Sequence, residues 1–169
     1  MANIQINRIK NKLKDLFNDK IYMENVTATN NSSEFEKMWY SRAYSAYSTF
    51  LLGSESVDEA ATSVTDGFDD YGIDAIFNDK NKKILYFIQT KFSNEATGSI
   101  SEGDTHKFIR GIKKIINLDF SNFNELVIKK QSEIENALSD FDYRLEIIIC
   151  VSSNQDIPSH SLEIINDFL

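Results

Sequence analysis

Two short apolar segments in the middle of the chain restrict its fold more than any other feature. Residues Ile73–Asn78 and Ile84–Phe92 are rich in β-branched and aromatic side chains, and the turn-like stretch Asp79–Lys83 separates them. Such a pattern predicts two neighbouring strands that form a β-hairpin. Side chains alternate between the two faces of a strand, so the register of this hairpin decides which polar groups meet.

The polar residues near the ends of the two strands fall on one face if the turn is short. If Asp79 pairs with Ile84 across a four-residue loop, Asp74 lies directly opposite Gln89. Lys91 is two residues beyond Gln89 and shares its face. A slip of one residue would send Asp74 to the opposite face, so this prediction depends on the register.

Helical spacing and turn residues predict the elements around the hairpin. Ser33 and Glu36 form a capping-box pattern at the start of a helix that Gly53 ends. The other predicted elements are helices over 4–24, 57–61, 105–118 and 124–138, a strand over 143–151, a helix from Ser159 or Ser161, and loops over 25–33, 65–72, 98–103 and 154–158. We therefore expect a mixed α/β fold in which a helical part, 1–53, packs on an α/β core, 54–169.

The composition indicates which cellular compartment and which classes of partner to expect. The single cysteine, Cys150, lies in an apolar run and forms no internal disulfide, so we expect a cytoplasmic protein. No apolar run approaches the length of a transmembrane helix, and we expect no membrane partner. The net charge of −8 argues against a protein that coats nucleic acid, although residues 107–130 carry six basic and two acidic residues. The last helix stops without a cap, so we expect the chain to be the front piece of a longer protein.

The polar trio of the hairpin suits the chemistry of a hard divalent cation. Mg²⁺ prefers oxygen ligands, which the Asp74 carboxylate, the Gln89 side-chain carbonyl and the Thr90 backbone carbonyl could supply. Lys91 beside them could help to orient or deprotonate a water molecule, or neutralise charge that builds on a phosphate. This arrangement points to phosphodiester hydrolysis.

The same residues resemble a known nuclease motif. Asp74 followed by Gln89-Thr90-Lys91 is similar to the PD-(D/E)XK pattern in its Mrr-like form. The stretch Ser63–Ile76, Gln89–Phe92 and the upstream helix Ser41–Tyr47 resemble the N-terminal region of abortive-infection phage-resistance (AIPR) proteins. The resemblance covers roughly residues 34–92. The rest of the chain resembles the family only in the order of its helices and strands.

The resemblance implies a restriction-endonuclease-like fold, a central mixed sheet flanked by helices. It also implies a bacterial anti-phage role, nucleic acid (DNA first) as substrate, and Mg²⁺ or Mn²⁺ as cofactor. Relatives often add an acid from an upstream helix, for which Glu36 is the first candidate and Asp70 the second. The chain departs from the pattern in two ways: no proline precedes Asp74, and Gln89 stands where many relatives carry an acid.

Several of these residues have simpler interpretations. Asp74 and Lys91 could form a cross-strand ion pair. The aspartates at 66, 69 and 70 are typical turn formers, although their crowding near Asp74 also makes an acidic mouth that would attract a cation. Glu36 could serve only as a helix-capping residue. Trp39 and the tyrosines at 40, 44 and 47 recur at helical spacing, as core residues do.

The basic residues after the hairpin could contact phosphates. Lys107, Arg110, Lys113 and Lys114 recur at steps of three and four and therefore share one side of a helix. An ordinary solvated helix face explains them equally well.

Two functions follow from these observations. One is a metal-dependent nuclease domain of the PD-(D/E)XK type. The other is a nuclease-like module that does not cut and instead binds nucleic acid or a protein partner. Whether the chain forms a homo-oligomer stays open.

Overall fold

A computed structural model of the chain describes residues 2–26 and 32–169. These residues form a mixed α/β structure whose elements are α1 (Ala2–Phe17), α2 (Ser32–Leu52), α3 (Val57–Thr62), β1 (Ala75–Asp79), β2 (Ile84–Lys91), α4 (Glu102–Ile116), α5 (Glu125–Ile128), α6 (Gln131–Ser139), β3 (Arg144–Val151) and α7 (Ser159–Phe168). Part of the predicted loop over 25–33, residues 27–31, lies outside the described residues.

The three strands form one mixed sheet in the order β1-β2-β3. β1 and β2 are antiparallel, and Asp79 pairs with Ile84 while Ala75 pairs with Ile88. This confirms the predicted register, and it places Asp74 just before β1 and level with Gln89. β3 runs parallel to β2 and begins with Arg144 opposite Ile84.

Helices cover both faces of the sheet. The face with Ala75, Tyr86 and Ile88 turns toward α2, which packs on β1 and β2, and α1 and α3 pack behind it. The opposite face carries Leu85 and Phe87, which pack into the main core with the buried residues of α4, α5 and α6. The alternation of side chains along β2 thus divides the apolar residues between two layers of helices.

Two of the predicted helices differ from the observed ones. The helix expected over 4–24 ends at Phe17, because the Lys20 N–H donates to the Phe17 carbonyl and closes a tight turn. The helix expected over 124–138 is broken into α5 and α6, since the Lys130 N–H donates to Val127, three residues back. Both segments still bury apolar side chains, Val127 and Ile134, in the same core.

The start of α2 differs from the predicted cap, whereas its aromatic residues do what packing predicts. α2 begins at Ser32, so Ser33 lies inside the helix and is not its N-cap. Its end agrees with the sequence, because Gly53 follows Leu52 with a left-handed φ of +113°. Tyr40 and Tyr44 are buried, and Trp39 and Tyr47 pack against the same cluster, which confirms their interpretation as core residues.

Within residues 2–26 and 32–169, no helix is both long enough and apolar enough to cross a membrane.

One glycine sets how closely α4 approaches the loop before β1. A Cβ atom at Gly111 would lie 2.7 Å from Tyr71 Cβ and 3.1 Å from both Tyr71 O and Ile73 Cδ1. No side chain fits there without moving the loop or the helix. Gly103, in the first turn of the same helix, has only Ser101 Oγ nearby, at 3.9 Å.

We expect the same substitution at these two glycines to have opposite effects on stability. Gly111→Ala should lower the free energy of unfolding by about 1–3 kcal/mol, because overpacking outweighs the gain in helix propensity. Gly103→Ala should raise it by about 0.4–1 kcal/mol. Urea unfolding followed by circular dichroism measures both values, and equal stabilisation of the two variants would contradict the close approach.

Candidate metal centre

A loop rich in acidic residues crosses the end of the hairpin and is closed by its own backbone. We call residues 65–74 the acidic loop. The N–H groups of Thr65 and Asp66 both donate to the Asp74 carbonyl, over 2.9 and 3.1 Å. The buried Thr65 hydroxyl donates to the Ile73 carbonyl over 2.6 Å. The first and last residues of the loop are therefore fixed against each other where β1 starts.

Further contacts hold the middle of the acidic loop. The Asp70 carboxylate accepts hydrogen bonds from the N–H groups of Gly67 and Gly72, over 3.1 and 2.6 Å. From the N-terminus of α5, the Asn124 side chain donates to the Thr65 carbonyl and its N–H donates to the Asp69 carbonyl. These hydrogen bonds fix the path of the loop and the position of the Asp70 carboxylate.

The acidic loop brings three carboxylates together. Oxygens of Asp66, Asp70 and Asp74 all lie within 4.8 Å of one another. They lie on the wall of a cavity of about 300 Å³. Gly72 of the same loop also lines it. The remaining lining residues come from α2, β2, the loop after β2, α4 and β3: Ser41, Gln89, Thr90, Lys91, Phe92, Ile100, Asp104, Lys107, Ile149 and Val151.

Burial and mutual repulsion perturb two of the carboxylates. Burial raises the pKa of Asp74 well above its usual value, and the charges of Asp66 and Asp70 raise it further, against hydrogen bonds from Thr90 that lower it. Burial also raises the pKa of Asp66, although a hydrogen bond from Ser41 and nearby positive charges lower it. Like charges held this close favour either protonation or a bound cation.

Gln89 adds an oxygen that no other described residue satisfies. The side chain is only 8% exposed, and its Oε1 atom is buried without a hydrogen-bond partner among the described residues. A buried acceptor without a partner costs about 1–3 kcal/mol. Because Gln89 lines the same cavity as the three carboxylates, a cation held there would supply the missing partner.

Thr90 fixes the orientation of the Asp74 carboxylate. Its N–H donates to Asp74 Oδ2 over 2.6 Å, and its hydroxyl lies 3.2 Å from the same oxygen. The buried Ser45 hydroxyl, on α2, lies 2.8 Å from the Thr90 hydroxyl and continues the network. These contacts give Thr90 a positioning role through its N–H and hydroxyl, whereas the predicted ligand role of its carbonyl stays a prediction.

Lys91 lies at the open side of the cavity. Its side chain is exposed, and its Nζ atom is 3.8 Å from Asp104 Oδ2 at the start of α4. The ion pair that the structure gives Lys91 is therefore with Asp104, not the cross-strand pair with Asp74 that was the simpler interpretation. Asp104 itself is held by a capping box with Ser101, so the partner of Lys91 is fixed.

The four basic residues predicted to share a side of α4 divide into two groups. Lys107 donates to Asp70 over 3.0 Å, so one acid of the cluster already has a positive partner. Arg110 and Lys114 both lie over the Tyr71 ring, 5.6 Å from its centroid. Lys113 lies instead over the ring of Phe168 in α7. Contact of these four residues with phosphates stays a prediction.

Glu36 is not brought to the acidic cluster. It is exposed on α2 and lines a separate cleft with Lys14, Trp39 and Tyr40, between α1 and α2. The helix turns this position away from the hairpin, so the structure does not support Glu36 as the additional ligand. Asp70, the second candidate, lies in the cluster.

Asp66 is the acid that sequence reasoning undervalued, since it was interpreted as a turn former. Two residues of α2 that lie near it were also missed. Ser41 gives Asp66 a hydrogen bond. Arg42 is 2% exposed, donates to the Tyr22 carbonyl and to Asn25 Oδ1, and acts electrostatically on Asp66. The sequence feature that could have identified Asp66 is the group of aspartates within the eight residues before Asp74.

The donor set matches a hard divalent cation. Three carboxylates and one neutral amide oxygen are the ligand types that Mg²⁺, Mn²⁺ and Ca²⁺ take in proteins. No histidine or cysteine lines the cavity among the described residues, which disfavours a zinc centre. Lys91 and Lys107 add positive charge to the same cavity.

Removing one of the clustered charges should stabilise the metal-free protein. We expect Asp74→Asn to raise the free energy of unfolding at pH 7 by about 1–2 kcal/mol, because it relieves repulsion among the three carboxylates. Since folding raises the pKa of Asp74, the penalty disappears as the pH falls through that raised pKa toward the unfolded value of about 3.9. The gain should therefore shrink as the pH is lowered from 7 toward about 3.9.

Denaturant unfolding in EDTA measures this effect, and Asp69→Asn is the matched control. Asp69 is exposed in the same loop with a left-handed φ of +59°, which asparagine tolerates, so its stability should change little. Mn²⁺ should then stabilise the wild type and the Asp69→Asn variant but not the Asp74→Asn variant. An Asp74→Asn variant less stable than the wild type in EDTA would contradict the repulsion.

No protein-family model, no curated protein and no solved structure matches the chain.

Proposed function

We propose that the chain is a divalent-metal-dependent nuclease domain with a restriction-endonuclease-like fold of the PD-(D/E)XK type. DNA is the substrate, and bacterial anti-phage defence of the abortive-infection kind, in the cytoplasm, is the setting. The observation that carries the proposal is the meeting of three carboxylates, a buried unpartnered Gln89 oxygen and Lys91 around one cavity. The resemblance of the hairpin motif to that family points to the same chemistry.

Some residues of the cavity would bind a cation, and others would contact a phosphate. Asp66, Asp70 and Asp74 would hold Mg²⁺ or Mn²⁺, with Gln89 Oε1 as a neutral ligand. The cation would act as a Lewis acid that stabilises negative charge on a phosphodiester. Lys91, exposed at the rim, contacts an oxygen of the phosphate or moves a proton to or from the attacking water.

The partners of these residues keep the site in place before substrate arrives. Thr90 holds the Asp74 carboxylate with two hydrogen bonds, and Asp104 restrains Lys91. Lys107 pairs with Asp70, so this ammonium group and a bound cation would compete for the same carboxylate. With a cation bound, Lys107 would be available to contact the substrate.

Catalysis should depend on Asp74 and Lys91. We expect Asp74→Asn and Lys91→Ala to reduce the initial rate of Mg²⁺- or Mn²⁺-dependent DNA cleavage by at least about 100-fold, since each removes a group that stabilises the transition state. Lys12→Ala, at an exposed position of α1, is the matched control and should cleave at the wild-type rate. Gel analysis of linear and plasmid DNA measures the rates. Undiminished cleavage by both site variants would overturn the assignment.

The identity of the third acid gives a separate prediction. We expect Asp66→Asn to abolish metal-dependent cleavage and to weaken Mn²⁺ binding at least about tenfold, because it removes one of three charged ligands. Glu36→Gln should retain both, since Glu36 lies in a different cleft. Isothermal titration with Mn²⁺, together with the cleavage assay, measures the two variants. Loss of activity in Glu36→Gln alone would restore the helical acid and exclude Asp66.

A second candidate function rests on the ion pair between Lys107 and Asp70. With that acid neutralised and Gln89 uncharged, the cluster is a weaker cation site than three free carboxylates would be. A module that binds nucleic acid or a protein partner without cutting fits this observation. Such a module would show no Mn²⁺ binding at millimolar concentration while remaining folded.

A further inference from the structure

The acidic loop carries one aromatic side chain that is exposed to solvent. Phe68 is 89% exposed, and it lies two residues from Asp66 and two from Asp70. A single exposed apolar side chain is common on protein surfaces and needs no function. Two further features, the rigidity of its loop and the charge beside it, distinguish Phe68.

The residues on both sides of Phe68 are held in place. The Gly67 N–H donates to the Asp70 carboxylate, and the Asp69 carbonyl accepts from the Asn124 N–H. The ring is therefore presented to solvent on an ordered loop, even though it has no packing role of its own. A phenylalanine side chain has only two rotatable bonds, so it loses little conformational freedom when a flat partner stacks on it.

A recess beside Phe68 shares one lining residue, Lys107, with the cavity of the metal centre. Its volume is about 370 Å³, and it is lined by Gly67, Phe68, Asp69, Tyr71 and Lys107. Lys107 also lines the cavity of the three carboxylates. Lys107 therefore lies between the cavity of the three carboxylates and the recess that holds the Phe68 ring.

Positive charge lies along this route. Lys107 and Arg110 are exposed, and Arg110 lies over the Tyr71 ring at the wall of the recess. Lys107 is paired with Asp70, and Lys114, over the same ring, is paired with Asp119. Lys107 and Arg110 are three residues apart and share one side of α4, so phosphates that flank a base on Phe68 would meet these two cations.

We propose that Phe68 stacks on an unpaired base of single-stranded DNA whose backbone runs along Lys107 and Arg110 into the metal centre. This inference rests on the proposed nuclease function and specifies its substrate as single-stranded. Bases within a duplex already stack on each other, whereas a single strand offers free base faces to aromatic rings and phosphates to a basic groove. The stacking requires no particular sequence, because every base has a flat face.

The test compares single-stranded and duplex DNA. A fluorescein-labelled single strand of mixed sequence and its blunt duplex are titrated with protein in Ca²⁺, and anisotropy gives the two dissociation constants. We expect Phe68→Ala to weaken single-strand binding by about 5- to 100-fold and Phe68→Trp to bind as tightly as the wild type. Phe141→Ala is the matched control, because Phe141 is fully exposed in the loop before β3 and should not affect binding.

The outcomes separate this inference from the proposed function. Unchanged single-strand binding by Phe68→Ala, or equal losses for single strand and duplex, would overturn the role of Phe68 and leave metal-dependent cleavage standing. A change in molecular mass on sedimentation without a change in affinity would identify the ring as a self-association contact and overturn the inference. If the wild type binds neither DNA but cleavage still depends on Asp74, the stacking proposal fails alone.

Discussion

The hydrogen bonds of one residue, Asp74, join the acidic loop to the hairpin. Its carbonyl accepts the N–H groups of Thr65 and Asp66, its N–H donates to Ile88, and its carboxylate is held by Thr90. The sheet therefore sets where this carboxylate lies, and the loop must bring its own acids to it. Without the β1–β2 pairing there would be no fixed point on which the other ligands could assemble, so the candidate site depends on this strand register.

This assembly opposes the stability of the folded chain. Three carboxylates are held close together, burial raises the pKa of two of them, and a glutamine oxygen beside them has no described partner. Lys107 and the buried Arg42 compensate part of the charge. A sequence selected only for stability would place apolar or neutral side chains there. Local conflict of this kind is expected at functional sites, where binding of a ligand removes the penalty.

The sequence predicts the hairpin side of the site because strand geometry is local and regular. A four-residue turn and a period of two are sufficient to place Asp74 level with Gln89, and the structure has that register. The contribution of Asp66 could not be predicted in the same way. Its position depends on left-handed backbone at Asp69 and Tyr71 and on a hydrogen bond from Asn124, which is 59 residues from Thr65. Turn propensity indicates a loop there, but not its path.

Helical periodicity is likewise insufficient to predict which side chains of a helix reach the site. It orders side chains around a helix, but it does not orient the helix relative to the sheet. The spacing of Lys107, Arg110 and Lys113 predicts a common side, yet Lys113 lies over the Phe168 ring of α7 whereas Arg110 lies over the Tyr71 ring. Glu36 likewise belongs to the correct helix, because Ser41 and Ser45 of α2 reach the site, but it projects into another cleft. The residues that a helix contributes to a site are therefore decided by tertiary packing, which its own repeat does not encode.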